Sequence, residues 1–351
     1  MNKFDERYEI RLAEYDDIEM IMQFIDNHWR KNHIMATNRE LFEYEYVENN
    51  QVNFVLAIDK KVNRLEGIFG FIYTSKTLNA AKKCIWGSMW KVVEEHNNMP
   101  FLGIELAKRA KILTNCDRHI GNGANPKTTI PLRKVFFREY TDKMDHYYML
   151  NPDIKEYKIS KIQNNVQDNK KNDVNFSSEL VKLNSIEELL AVFDVEKVEA
   201  IPYKDNYYIN KRYFKHPIYE YKVYGVKRLN EEVNAILVCR EVQCSGAKIL
   251  RIMDYIGEER LLEGLSKELS MLLSQGNYEY IDFYAYNFNS QFILNAGFML
   301  REEKDPNIIP NYFEPFLQEN VDIWVHYKEP GTKFFKADGD QDRPNELREE
   351  N

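Results

Sequence analysis

The chain is poor in cysteine: Cys84, Cys116, Cys239 and Cys244 are its four, and no two form a Cys-x-x-Cys pair or a Cys/His zinc spacing. That excludes zinc ribbons and fingers and argues against a disulfide-stapled scaffold. No metal site is expected. The four read as buried free thiols of a reducing, cytoplasmic setting. A run of about 18 apolar residues, the length a bilayer requires, is also missing, so no membrane span is expected. The first residues, Met-Asn-Lys-Phe-Asp-Glu-Arg-Tyr-Glu, lack the apolar centre of a signal peptide. Basic charge is not in excess: 48 Lys and Arg face 56 Asp and Glu, a formal net charge of −8. A chain of that balance is not expected to bind nucleic acid along its whole length.

What is present is core-forming material. Hydrophobic residues make up 44% of 351 and aromatics 13%, enough for two domains of ordinary size. Tyr8–Ala13 reads as a strand, and Asp16 and Asp17 open a helix through Trp29. A short helix over 38–47 follows, then strands Phe54–Asp59 and Gly67–Tyr73. Ile85–Val93 is a strand rich in aromatic and β-branched residues. After a polar turn, Pro100 suits the first turn of a helix that runs to Thr114. Trp86 and Trp90 share parity on the strand, so they are expected on one face. A short strand at 118–125, a helix from Thr129 to Tyr140 and a strand His146–Leu150 complete the first half.

From Asn151 to Ser178 the chain turns polar and reads as a linker, or as an exposed stretch of strand plus loop. The element order then repeats: strand Glu179–Leu183, a helix capped by Ser185, strands Tyr219–Val226 and Ala235–Val242, and strand Lys248–Ile256. Next come an amphipathic helix Glu258–Ser274, strand Tyr278–Tyr286, a short helix ended by Gly297, and a last strand Val321–Tyr327. The expected domains are therefore 1–150 and 179–351, joined by 151–178. Element order and spacing carry the repeat, not residue identity.

That order, met twice, is the order of the GNAT acetyltransferase fold. The chain from about Tyr8 to Asn345 resembles the tandem-GNAT proteins of bacterial surface-polysaccharide biosynthesis. The resemblance is carried by Trp29-Arg-Lys-Asn-His-Ile-Met-Ala, Asn53-Phe-Val-Leu-Ala, Gly67-Ile-Phe-Gly-Phe-Ile, Ile85-Trp and Trp90-Lys91. Later it is carried by Arg212-Tyr-Phe-Lys-His-Pro, Leu250-Arg-Ile-Met-Asp-Tyr-Ile-Gly, Ala296-Gly-Phe, Ile309-Pro-Asn-Tyr-Phe-Glu-Pro-Phe and Phe335-Lys-Ala-Asp-Gly-Asp-Gln-Asp-Arg-Pro-Asn. It implies an α/β (α+β) chain of two GNAT-like domains, each a mixed, mostly antiparallel twisted sheet flanked by helices.

The resemblance also implies a donor, acetyl-CoA or another acyl-CoA, lying against the fourth strand. Trp90, Lys91, Val92 and Val93 would meet its pantetheine arm. Pro100, Phe101, Leu102 and Gly103 would meet its pyrophosphate at a helix start. The family loop Arg/Gln-x-x-Gly-x-Gly/Ala is here Asn98-Met-Pro-Phe-Leu-Gly-Ile-Glu, with one glycine and no basic residue ahead. The second half has Tyr255-Ile-Gly-Glu-Glu-Arg there, two acids where a diphosphate would sit. A single donor site is expected, in the first half. The family's usual acid tyrosine is absent: the matching position is Ile293.

Candidate chemistry clusters elsewhere. Glu314, between two prolines and beside Asn311 and Tyr312, is a candidate base for the amine. His216 and Asp254 join it as candidate catalytic groups. Arg212 and Arg251 are candidate substrate grips through bidentate bonds; a buried carboxylate partner is the alternative for Arg251. By parity Arg251 and Asp254 are expected to face opposite sides. Trp29 and His33 fall where GNAT folds shape the acceptor pocket. Asp340, Gln341, Asp342 and Arg343 are expected to be ordered, folded back against the domains, and to bind sugar hydroxyls or tie the halves together. The implied activity is acyl transfer to an amine, a nucleotide-linked amino sugar by resemblance. Two rivals stand beside it: a FemABX-like transferase using aminoacyl-tRNA, and a non-catalytic binding or scaffold protein.

Overall fold

The computed structural model of the chain describes residues 2–48, 50–79, 81–94, 97–163 and 174–345. The chain divides into two compact units. The first comprises Met1–Asp142, Trp324–Pro330 and Gly339–Asn351, the second Lys143–Ile323 and Gly331–Asp338.

In the first unit the sheet begins β1 (Tyr8–Glu14), β2 (Gln51–Asp59), β3 (Arg64–Tyr73), β4 (Ile85–Val92) and β5 (His119–Asn122), side by side in that order. Neighbours from β1 to β4 are antiparallel; β4 and β5 are parallel. The strands Trp324–Tyr327 and Tyr140–Lys143 extend it past β5. One face is covered by α1 (Ile18–Phe24) and α2 (Arg39–Tyr46), whose Ile21, Phe24, Phe42 and Tyr46 pack on Phe54, Ile68 and Met89. Asn38 caps α2 by accepting from Leu41 N, which satisfies a donor the helix leaves orphaned. The other face carries α3 (Leu102–Leu113), with Leu106, Ala107 and Ala110 on Val55, Phe69 and Ile85. A short α4 (Thr129–Leu132) continues as a wider turn through Arg133–Phe137.

The second unit repeats the plan. Its strands are β6 (Asp145–Leu150), β7 (Ser178–Leu183), β8 (Tyr221–Arg228), β9 (Ala235–Cys244), β10 (Ala247–Gly257) and β11 (Tyr280–Tyr286). The order is Met299–Leu300, β6, β11, β10, β9, β8, β7. Its helices are α5 (Ile186–Val192), capped by Ser185 as expected, α6 (Asn206–Ile209), α7 (Ser266–Gly276) and α8 (Ser290–Asn295). Gly297, at φ +100°, follows α8. The helix expected over 258–274 begins as a tighter turn, Glu259–Leu265, and is α-helical only from Ser266.

Two strands do not belong where the chain order put them. The strand expected to close the first half, Asp145–Leu150, pairs with β11 in the second sheet. The strand expected to close the second half, Trp324–Tyr327, pairs with β5 in the first. The first unit is thus completed by segments from the far end of the chain, and the second begins with a strand expected in the first. Pattern gives a strand's existence, but its partner is a long-range choice.

Residues of the expected linker also take part in the second unit. Ile159 is fully buried in its core. The Glu279 carboxylate accepts from the backbone N–H groups of Lys158, Ile159 and Ser160, and so fixes a segment that reads as polar loop. Residues 164–173 of that stretch lie outside the described residues. Among the described residues, no helix is long and apolar enough to cross a membrane, and no group of three or more His, Cys, Asp or Glu side chains is arranged to hold a metal ion. Cys84, Cys116 and Cys239 are buried free thiols, and Cys244 is half-buried.

Candidate functional site

The site in the first unit starts from a defect in β4. Opposite it β3 advances two residues, Phe71 to Phe69, while β4 advances three, Gly87 to Trp90. This is a β-bulge at Ser88–Met89, which bends the strand and leaves the extra residue unpaired. The alternation slips by one, so Ile85 and Trp90 pack toward the same core. Trp86, the neighbour of Ile85, lies on the opposite face and touches the Cα side of Gly339, where a Cβ would lie 3.5 Å from its ring. The expectation that Trp86 and Trp90 share a face therefore fails, because parity does not survive a bulge.

Beyond the bulge β4 and β5 part. They pair over two residue pairs, Ile85 with His119 and Trp86 with Ile120. Past the bulge, between the end of β4, the start of α3 and α4, lies a groove of about 610 Å³ lined by Trp90, Val92, Val93, Asn98, Phe101, Gly103, Thr128, Thr129 and Leu132, among others. That is within the roughly 300–1,000 Å³ of small-molecule sites. All the residues expected to hold a donor except Pro100 line it. Lys91, at its edge, pairs with Glu94 at 2.7 Å.

One end of the groove is the start of α3. Phe101 precedes that helix in the left-handed region (φ 67°, ψ 18°), and no side chain caps it. The first N–H groups of a helix have no carbonyl partner of their own. Gly103 fits there because Trp90 occupies the space: a Cβ would lie 3.1 Å from Trp90 Nε1. The same Nε1 donates to the Gly103 carbonyl at 2.9 Å. Trp90 is in turn backed by the fully buried Arg133, whose guanidinium carbon lies 4.8 Å from the indole centre. Arg133 meets Glu139 at 3.8 Å. His119 and His326 complete this buried cluster. Burial and the Arg133 charge hold His326 down to about 4.

A second cluster sits on the bulge itself. Ser88 Oγ donates to Asp340 Oδ2 at 3.0 Å and lies 2.6 Å from the Tyr46 hydroxyl. Arg343 Nη1 donates to both Asp340 Oδ2 and the Tyr46 hydroxyl at 3.3 Å, and its Nη2 lies 3.5 Å from His33 Nε2. His33 Nδ1 accepts from Met35 N. Burial, then Arg343 and Arg30, push the imidazole down to about 3, so it is neutral at neutral pH. Burial raises the Tyr46 hydroxyl well above the ordinary tyrosine range. The tail residues Asp340–Arg343 are thus ordered within the first unit, with Asp342 buried and Gln341 packed over Gly123. His33 and Arg343, expected separately as substrate contacts, come together. Trp29 stays 42% exposed at the end of the turn after α1.

The remaining expected residues fold into the second unit. Its β10 carries a matching defect, at Met253, where the pairing jumps from Val238–Asp254 to Cys239–Ile252. Leu250, Ile252 and Tyr255 all enter one core, so Arg251 and Asp254 share the other face; the expected opposition fails for the same reason as before. Arg251 binds Asp282 bidentately at 2.9 and 2.6 Å and donates to the carbonyls of Asn311 and Pro310. Arg251 and His146 hold the Asp282 carboxyl down to about 2 against the upward pull of burial. Asp254 accepts from Lys204 at 2.6 Å, from Tyr213 and from its neighbour's N–H. Lys204 also bridges to Asp338 at 2.7 Å. Arg212 donates to the Ala337 carbonyl at 3.1 Å. Arg251, Asp254 and Arg212 are all buried, each held by a partner within the protein.

Asn311 bonds Tyr284 and the Val321 carbonyl. Tyr312 lies under Lys336, 5.2 Å away. Glu314 accepts from the Tyr219 hydroxyl at 3.3 Å. Tyr219 is sandwiched between His216, ring centres 5.1 Å apart, and Arg240 at 4.0 Å.

In this unit the segment Phe334–Ala337 fills the gap beyond the bulge. Phe334 and Phe335 pair with β11, and Ala337 N donates to Met253 O on β10. The cavity left beside Tyr255–Gly257 holds about 60 Å³.

No family model matches the chain, and no curated protein matches it in sequence. Solved structures do match in shape. A GCN5-related N-acetyltransferase from Anabaena variabilis superposes with a TM-score of 0.51 at 8% identity, over 91% of this chain and 72% of that one. Both units carry the GNAT fold. A putative acetyltransferase from Pyrococcus horikoshii (TM-score 0.45, 12% identity, 93% and 91% covered) also matches. So does Saccharomyces cerevisiae N-myristoyltransferase with bound myristoyl-CoA (0.46, 9%, 92% and 80%). At these identities the likeness is one of fold. Within that fold the two units differ: a groove lies past the β4 bulge of the first, and Phe334–Ala337 fills the space past the β10 bulge of the second.

Sequence reasoning missed Ser88, Tyr46 and Arg133. Ser88 and Asp340 are 252 positions apart, and no local pattern in either stretch signals the contact.

Proposed function

We propose that the chain is an acyl-CoA-dependent N-acyltransferase whose donor site is the groove of the first unit. The observation that carries this reading is the asymmetry between the two splayed strand pairs. Past the bulge of β4 there is room for a pantetheine arm and a helix start without a side-chain cap for its diphosphate. Where β10 parts from β11, Phe334–Ala337 takes that room. The name of the Anabaena protein, an N-acetyltransferase, agrees with an amine acceptor.

In this reading a thioester lies along β4 with its carbonyl at the Ser88–Met89 bulge. A backbone N–H freed by the bulge steadies the oxyanion as the neutral amine attacks. The amine nitrogen forms a bond to the acyl carbon, the carbon–sulfur bond breaks, and one amine proton passes to the Asp340 carboxylate. From there it reaches the departing thiolate or solvent. Asp340 replaces Glu314 as the favoured base because it lies on the bulge of the donor unit. Arg343 and Ser88 orient it. The favoured acceptor is a nucleotide-linked amino sugar.

Calorimetric titration of the intact chain with acetyl-CoA tests the reading. One site per chain is expected. No detectable heat with acetyl-CoA or a longer acyl-CoA would overturn it, and two equal sites would refute the assignment to one unit.

A further inference from the structure

We propose that Phe101 and Phe136 form a stacking platform for the adenine of the donor, a nucleobase subsite at the mouth of the groove. The proposal rests on reading that groove as the acyl-CoA site.

Of the 20 phenylalanines in the chain, all lie among the described residues and two are exposed: Phe101 at 63% and Phe136 at 39%. These two touch each other, with ring centres 5.4 Å apart at a 53° tilt. A scattered exposed aromatic needs no explanation, but the pair coincides with the groove. Phe101 lines it, and Phe136 follows one turn after Leu132, which lines the opposite wall.

The backbone holds Phe101 in place. Leu102 N donates to Met99 O, closing a tight turn, and Phe101 itself sits at φ 67°, a region a bulky side chain rarely adopts. Its ring is therefore directed by a fixed turn on one side and braced by Phe136 on the other. The tilted contact leaves no slot between the rings, so a flat ligand stacks on the outer face of Phe101.

Position along the strand names the ligand. With the thioester at Ser88–Met89, the arm runs past Trp90–Val93, four residues or roughly 13 Å of strand. The diphosphate then meets the start of α3. The next chemical group of an acyl-CoA is its adenosine, and the next protein surface is Phe101. Every base has a π-face, and base–aromatic stacking tolerates any base, so the platform recognises a planar heterocycle and not a particular hydrogen-bond pattern.

Titration with three probes tests the subsite: acetyl-CoA, acetyl-4′-phosphopantetheine, which lacks the nucleotide, and adenosine 3′,5′-bisphosphate, which lacks the arm. Phe101→Ala and Phe136→Ala are expected to weaken acetyl-CoA and the bisphosphate about tenfold. The phosphopantetheine thioester should bind these variants as it binds the wild type, and Phe101→Trp should retain full acetyl-CoA affinity. An equal loss for all three probes would show that the variants merely collapse the turn and would overturn the proposal. Unchanged acetyl-CoA affinity would also overturn it, leaving the pair as a protein contact; sedimentation would then show association that Phe101→Ala abolishes. If the wild type binds no acetyl-CoA but does bind the bisphosphate, the donor reading fails while the nucleobase platform stands.

Discussion

Trp90 and Gly103 are locked to each other twice: the indole N–H donates to the glycine carbonyl at 2.9 Å, and the indole nitrogen stands 3.1 Å from where a Cβ would be. One residue is on β4 and the other in the first turn of α3, and both line the groove, so this contact ties its two walls together. Gly103→Glu would displace the indole and place a carboxylate beside the donor's diphosphate, where like charge repels. We expect acetyl-CoA affinity to fall at least about thirtyfold, near 2 kcal/mol. The melting temperature should move by only a few degrees, since the added side chain sits at a helix start. Calorimetry beside a thermal melt checks both; unchanged affinity would place the donor elsewhere.

Arg251 and Asp282 form a buried ion pair in the second unit, and neither is free to meet a substrate without leaving the other unpaired. Arg251→Met should destabilise that unit by about 3–5 kcal/mol, the usual consequence of orphaning a buried charge. Acetyl-CoA affinity should be unaltered. All four tryptophans, Trp29, Trp86, Trp90 and Trp324, lie in the first unit. The loss should therefore appear in hydrogen exchange of β10 and β11 amides and not in tryptophan fluorescence. A tryptophan-detected shift of that size would contradict the division of the chain.

Much of this architecture is legible in the sequence, and the failures share a physical cause. Strands such as Gln51–Asp59 and helices such as Arg39–Tyr46 are announced by local signals, periodicity and the Asn38 cap among them. The start of α3 is legible too, because Pro100 and Gly103 mark it. What alternation cannot convey is the one-residue slip at Ser88–Met89 or Met253, which reassigns Trp90 and Asp254 to other faces. Nor can a strand such as Trp324–Tyr327 state which sheet it will join. The Asp340–Ser88 contact is of the same kind: each residue is ordinary in its own stretch, and only the fold brings the tail to the bulge.

Asp340 is the carboxylate on that bulge, and removing its charge separates binding from chemistry. Asp340→Asn keeps the size and an acceptor for Ser88. Acetyl-CoA should bind as before, while thiol release in the presence of a nucleotide-linked amino sugar should slow about a hundredfold, a typical contribution of a positioned base. Loss of donor affinity in step with the rate would make Asp340 a structural tie only.

Buried titratable groups give the two units unequal responses to acid. In the first unit burial holds His326 down to about 4 and His33 to about 3, and His119 well below its ordinary value. In the unfolded chain they titrate near 6.5. As pH falls through 6.5 the unfolded state takes up protons that the folded unit refuses, so stability is lost from 6.5 down to the folded values. The loss is about 1.4 kcal/mol per pH unit for each group. In the second unit His146, held down to about 4 by burial, acts the same way. Asp338 there is raised to about 6 by burial, which favours the folded state as pH falls from 6 toward its unfolded value and offsets His146. Tryptophan-detected urea midpoints should therefore drop steeply between pH 6.5 and 4.5, while β10 and β11 amide protection changes little. His326→Gln should remove about 1.4 kcal/mol per pH unit from the tryptophan-detected slope. A slope unaltered by that substitution would show that His326 is already protonated in the folded protein, paired as an ion with Glu139.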